Sequence, residues 1–134
     1  MLNKLQKHAV RLIAGVKKFE SSSCHFSSLN ILHINELYVL SVQLFMYKYI
    51  NSLLPEIFQN FFVYNSDMHD YPTRNSGCFR TPVYTSERNS SFIRFTGVHI
   101  FNELHNSTPM SYSYQCYKQN IKKVIRSLNV ITLL

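Results

Sequence analysis

Glycine and tryptophan are scarce in this chain: 134 residues hold three glycines and no tryptophan. So few glycines exclude a Gly-rich phosphate cradle. They also disfavour an all-β fold, whose tight turns need residues that tolerate positive φ. Cysteine is equally sparse, with Cys24, Cys78 and Cys116 odd in number and widely spaced. No disulfide framework follows, and a reducing compartment is expected. Lys4, Lys7 and Arg11 interrupt the first apolar stretch, so no secretory signal peptide is expected there. The most apolar window, Leu37–Tyr47, falls short of the ~20 residues a membrane span needs. The expectation is an intracellular chain, not secreted and without a transmembrane segment.

Acidic residues are also few, 7 against 14 Lys and Arg, for a net charge of +7. Their placement matters more than their sum. Residues 1–20 carry Lys4, Lys7, Arg11, Lys17 and Lys18 against Glu20 alone, and residues 110–134 carry Lys118, Lys122, Lys123 and Arg126 with no acid. Two basic ends around a nearly balanced centre favour a polyanionic partner, with RNA or DNA expected. A basic membrane-surface helix fits the terminal segments only loosely.

Apolar residues make up 46% of the chain, enough for one domain with a core. Leu2, Leu5, Ala9, Leu12, Ile13 and Val16 recur at helical spacing and predict a helix over 2–19, with Lys4, Lys7, Arg11 and Lys18 mainly on its other side. The absence of a capping residue before Leu2 suggests that the chain starts inside a larger element. Ser21–Ser23 break the pattern, and His25–Leu29 fit a short helical turn. A longer helix is expected over 35–50, capped by Asn35 and apolar around most of its circumference, hence central or covered by a partner. Pro55 can open a short helix, Glu56–Phe62.

Residues 63–90 are polar and lack a helical period, which reads as a long loop. Phe79–Tyr84 and Phe92–Phe95 are candidates for a small β-hairpin. Thr96 is placed as the cap of a helix over Gly97–Leu104, and Pro109 closes the connection. The last helix is expected over Ser113–Leu128. Tyr114, Tyr117, Ile121, Val124, Ile125 and Leu128 share one face of it, and Lys118, Lys122 and Arg126 form an i, i+4 ladder on another. The Phe and Tyr residues at helical spacing are expected to fill the core rather than to stack on bases. The fold class is thus mainly α: a small helical domain around a central apolar helix, with a minor β-hairpin and a long polar loop. One domain, 1–134, divides into a helical part (1–62), loop and hairpin (63–96) and a C-terminal helical part (97–134).

Catalytic chemistry finds little footing. Two-metal polymerase or nuclease sites need clustered carboxylates, and only Asp67 and Asp70 lie close together, in what reads as a solvated turn. Zinc usually needs paired ligand spacing; Cys24-His25 is adjacent instead, so buried or semi-buried thiols are expected. No metal and no cofactor are assigned to this chain, and it is not expected to be an enzyme.

Several stretches, in order, resemble one family. Leu5-Gln6-Lys7-His8-Ala9-Val10-Arg11-Leu12-Ile13-Ala14-Gly15 resembles the helix that follows the polymerase core in reverse transcriptases of non-LTR (LINE-like) retrotransposons. His69-Asp70-Tyr71-Pro72-Thr73-Arg74-Asn75 is similar to a signature in the tail beyond that polymerase. Arg94-Phe95-Thr96-Gly97 with Phe101-Asn102-Glu103-Leu104 resembles a later block, and Tyr117-Lys118-Gln119-Asn120-Ile121-Lys122-Lys123 the closing helix. Leu44–Tyr49 and Leu54-Pro55 fit between the first two. Val98 and His105 stand where the family has prolines, and Phe101 where it has tryptophan.

The resemblance implies a parent similar to an RNA-directed DNA polymerase whose catalytic aspartates lie upstream of Leu2. The divalent metal would belong to that missing polymerase domain, which becomes an expected partner. It singles out His69, Tyr71, Thr73, Arg74, Asn75, Arg94, Gly97 and Asn102 as motif residues. Arg74 and Arg94 are expected to brace the loop through charge-assisted bonds to carbonyls or carboxylates, and Tyr71 and Asn75 to order it. Lys4, Lys7, Arg11, Lys118, Lys122, Lys123 and Arg126 are the candidate phosphate contacts. The alternative is a structural module that only buttresses the polymerase.

Overall fold

His33 sits in extended backbone just before the longest helix, and its N–H donates to the Glu36 carboxylate at 2.7 Å. That reciprocal cap starts the helix at Ile34 rather than after Asn35. The computed structural model describes residues 1–68, 71, 73–83, 92–105 (without the His105 side chain), 107, 108, 110 and 113–127. Its helices are α1 (Leu2–Ala14), α2 (Ser23–Ser28), α3 (Ile34–Ile50), α4 (Ile93–His105) and α5 (Tyr114–Ser127). The chain is mainly helical, and α3 is its axis. Val39, Leu40, Val42, Gln43, Met46 and Tyr47 of α3 are all buried. A helix with apolar residues on every side needs cover on more than one flank; α4 and α5 both pack on α3.

The segment expected as the second hairpin strand is helical instead. Ile93–Phe95 form the first turn of α4, three residues ahead of the expected cap, and Thr96 donates its hydroxyl back to the Phe92 carbonyl at 3.1 Å. Ile93 packs against the core, so burial on α3 outweighs the β preference of Phe, Ile and Phe. Phe79 pairs with a different partner, Tyr64, in an isolated antiparallel bridge. Arg80 N–H donates to the Val63 carbonyl at 2.8 Å and Asn65 N–H to that of Cys78 at 3.0 Å. Tyr84, residues 85–91, Pro109 and Leu128 lie outside the described residues. A 3-10 turn, Glu56–Phe58, stands where the short helix after Pro55 is expected.

Phe79 is fully buried and is the hub of an aromatic cluster. It contacts the rings of Tyr49, Phe62, Tyr64 and Phe101 at centroid distances of 5.8, 5.5, 4.3 and 5.2 Å. Tyr49 adds a polar tether, its hydroxyl donating to the Phe62 carbonyl at 2.9 Å. These rings belong to the core, although Tyr64 and Phe79 come from the segment read as a loop without helical period.

α5 turns Tyr117, Ile121 and Ile125 inward. The Tyr117 hydroxyl donates to Gln43 Oε1 at 3.0 Å, and Gln43 Nε2 donates to the Ile100 carbonyl at 2.9 Å. One buried glutamine thus ties α3, α4 and α5 together with its polar atoms satisfied. Burial, with Tyr47 alongside, pushes the Tyr117 phenol from 10.0 up to about 12. A raised folded-state value means that the fold holds this proton more tightly than the unfolded chain does. The associated stability is complete below pH 10 and is lost as pH rises through 12. It amounts to about 3 kcal/mol. The stability advantage of wild type over Tyr117→Phe should therefore shrink between those two pH values in chemical denaturation. An advantage that stays constant with pH would show that the phenol does not titrate in the fold.

α1 is shorter than its periodicity suggests. Gly15 adopts a left-handed conformation (φ 67) and its N–H caps the Leu12 carbonyl, while Val16 N–H reaches that of Arg11. Residues 16–19 therefore leave the helix. The rotation of α1 also differs from expectation. Its buried residue is Val10, and the stripe Leu2, Leu5, Leu12, Ile13 faces outward. Gln6 anchors the helix to the domain: its Nε2 donates to the Leu32 carbonyl at 2.8 Å and its Oε1 accepts from Ile34 N–H at 2.9 Å. The same carboxamide caps α3.

Candidate nucleic-acid interface

The inward face of α5 decides where its cations go. With Tyr117, Ile121 and Ile125 buried, Lys118 and Lys122 emerge half-exposed along the border of that face, and Lys123 and Arg126 are exposed. On α1, Lys4 and Lys7 are exposed and Arg11 is half-exposed. Arg11 Nε donates to the Glu20 carbonyl at 2.8 Å, fastening the chain that follows the helix. Among the described residues no carboxylate pairs with Lys4, Lys7, Lys118, Lys122 or Lys123.

The two basic helices meet at one short segment. Arg126 Nη2 reaches the Asn30 carbonyl at 3.4 Å, while Gln6 holds Leu32 and Ile34. An extended chain rises ~3.5 Å per residue, so these anchors lie no more than about 15 Å apart. The end of α5 and the middle of α1 are both fastened to residues 30–34, so their positive charges share that end of the molecule.

The motif residues separate into distinct roles. Asn102 clamps the Phe79 main chain: its Nδ2 donates to the Phe79 carbonyl at 2.7 Å and its Oδ1 accepts from Phe79 N–H at 3.0 Å. Gly97 is buried where α4 crosses α3; a Cβ there would lie 3.6 Å from Met46 Sδ and 3.3 Å from Ile93 Cδ1. The Asn75 carbonyl accepts from Asn65 Nδ2 at 3.0 Å and from Cys78 N–H at 3.0 Å, and that of Thr73 accepts from Ser76 N–H at 3.1 Å. Arg74 and Tyr71 are exposed. Arg94 departs from expectation. Its guanidinium lies over the Phe61 ring, 5.7 Å from the centroid, because the aromatic cluster presents a π-face there. His69 and Asp70 lie outside the described residues.

Arg94 also borders a feature the sequence reading missed. With Arg80, Phe61, Phe62, Val63 and Pro82 it lines a concavity of about 170 Å³, with two guanidinium groups and, among the described residues, no carboxylate. The signal was basic residues set among aromatic ones, Arg80 after Phe79 and Arg94 before Phe95, in separate segments that only the fold brings together. Gln43 was missed too, although an amide side chain inside an apolar helix is a usable signal.

Among the described residues no group of three or more His, Cys, Asp or Glu is arranged to hold a metal ion, and no helix is long and apolar enough to cross a membrane. Cys24 and Cys116 are exposed and Cys78 half-buried, so two of the three thiols are more open than expected. Ser22, not Cys24, is the buried residue at the start of α2. No family model, curated protein or solved structure matches this chain.

Proposed function

We propose that this chain is a non-catalytic accessory module that binds RNA or DNA through α1 and α5 and braces an upstream polymerase domain, in a parent similar to the non-LTR retrotransposon reverse transcriptases. The observation that carries this reading is the outward ladder of α5. Lys118, Lys122 and Arg126 stand one turn apart on a helix without an acidic residue. Like charges at that spacing cost a few tenths of a kcal/mol per pair, roughly, and a phosphate backbone alongside offsets that cost. Lys123 lies beside the ladder, and Lys4, Lys7 and Arg11 extend the field from the neighbouring helix. Tyr71, Thr73, Arg74, Asn75, Arg94, Gly97 and Asn102 serve the loop and core that hold these helices in place. Divalent-metal chemistry belongs to the polymerase domain.

Support of that domain without nucleic-acid contact is the alternative, favoured by the apolar residues that α1 leaves exposed. A salt titration separates them. If all seven cations neutralise phosphates, the logarithm of the DNA-binding constant falls with that of salt at a slope of about −6. A folded sample that binds neither RNA nor DNA at low salt overturns the binding reading.

A further inference from the structure

We propose that α1 is also a pairing seam, through which two copies of this chain associate. The side that α1 turns away from its domain carries Leu2, Leu5, Leu12 and Ile13, which are 67, 59, 68 and 66% exposed. Ala9, between them, is exposed as well. Leu2, Leu5, Ala9 and Leu12 alternate spacings of three and four residues, the repeat of two helices packed side by side. In heptad terms Leu2 and Ala9 take a, and Leu5 and Leu12 take d.

Charge placement favours a second copy over other occupants. Lys4 and Arg11 fall at c and Lys7 at f, the positions farthest from the seam. The flanking e and g positions hold Gln6, Ile13, Met1 and His8, with no lysine or arginine. Two chains of charge +7 therefore meet along a seam that puts no lysine or arginine side chain opposite another. A lipid surface is served by lysines along the borders of the apolar face, where they reach headgroups. Here they lie on the far side. A two-fold pair needs one patch that complements itself, and the same four residues supply both halves. Val10 binds α1 to its own domain on a different side, and Gln6, on the seam's border, directs its carboxamide to Leu32 and Ile34, so the a and d side chains stay exposed. A helix of 13 residues is about 20 Å long, so the contact is smaller than a standard interface and the association weak.

Sedimentation of the full chain in reducing buffer tests this, the reductant excluding disulfides through exposed Cys24 and Cys116. Between about 5 and 500 µM, a range that brackets weak pairing, the mass should move from 15.8 kDa toward twice that value. Added salt should strengthen the pairing by screening the net charge, opposite in sign to its effect on nucleic-acid binding. Leu5→Gln with Leu12→Gln should stay monomeric throughout with an unchanged far-UV spectrum. Ile57→Gln, at a side chain 83% exposed elsewhere, should pair like wild type. If the double variant unfolds, Ala9→Glu alone puts a charge mid-seam and should also abolish pairing. Wild type that remains monomeric at the highest concentration, or pairing that survives in the folded seam variants, overturns the proposal. Monomer that binds phosphatidylserine vesicles through Leu5 and Leu12 would overturn it too, and would assign the face to lipid.

Discussion

Reversing Lys118, Lys122 and Arg126 to glutamate together is expected to lower RNA and DNA affinity by roughly 100-fold or more at moderate salt, and to cut the salt slope by about three. Tyr117, Ile121 and Ile125 on the adjoining inward face remain buried, so α5 keeps its place while its basic border changes sign. The bond from Arg126 to the Asn30 carbonyl is lost, but at 3.4 Å and on the surface it contributes little. Each cation removed releases about one fewer counterion, and each carboxylate added repels the same phosphate. Fluorescence anisotropy across a salt series measures both quantities, with circular dichroism to confirm the fold. Affinity and slope that match wild type would leave the purely structural reading standing.

Phe79→Ala is expected to cost about 3–5 kcal/mol, a large part of the 5–15 kcal/mol that holds a typical small domain together. Four rings surround this side chain, from α3, from the segment after it and from α4. Its main chain is held at both N–H and C=O by Asn102, so the backbone cannot easily collapse into the space left behind. Cavity cost rises when a site cannot relax, which places this substitution toward the upper end of that range. Urea denaturation of Phe79→Ala against wild type measures it. A loss below about 1 kcal/mol, the range of surface substitutions, would show that the cluster does not organise the loop.

The central helix was legible in the chain because a segment apolar on every side has few options other than a core. The C-terminal helix was legible for the complementary reason: its apolar and basic residues separate cleanly, and burial of Tyr117, Ile121 and Ile125 follows from that separation. Phe92–Phe95 was not legible. Its aromatic and β-branched residues favour a strand locally, and only the packing of Ile93 against the core tips it into α4. The concavity between Arg80 and Arg94 was invisible in the same way, since it joins residues from three separate segments.

The first helix shows the division most clearly. Its apolar stripe, its basic residues and Gly15 at its end are written in residues 1–18, and so is the fact that it is amphipathic. Which side faces inward is a different question. Hydrophobic periodicity predicts burial of Leu2, Leu5 and Leu12, yet these residues are exposed while Gln6 donates to the Leu32 carbonyl and accepts from Ile34 N–H. Periodicity reports what a helix can bury, whereas the partner that reaches it first in space decides what it does bury. Composition and spacing by themselves settled the helical class, the central helix and the basic ends. The orientation of α1, the glutamine that joins three helices and the convergence of both basic helices on residues 30–34 came only with tertiary structure, because each depends on directional contacts between residues far apart in the chain.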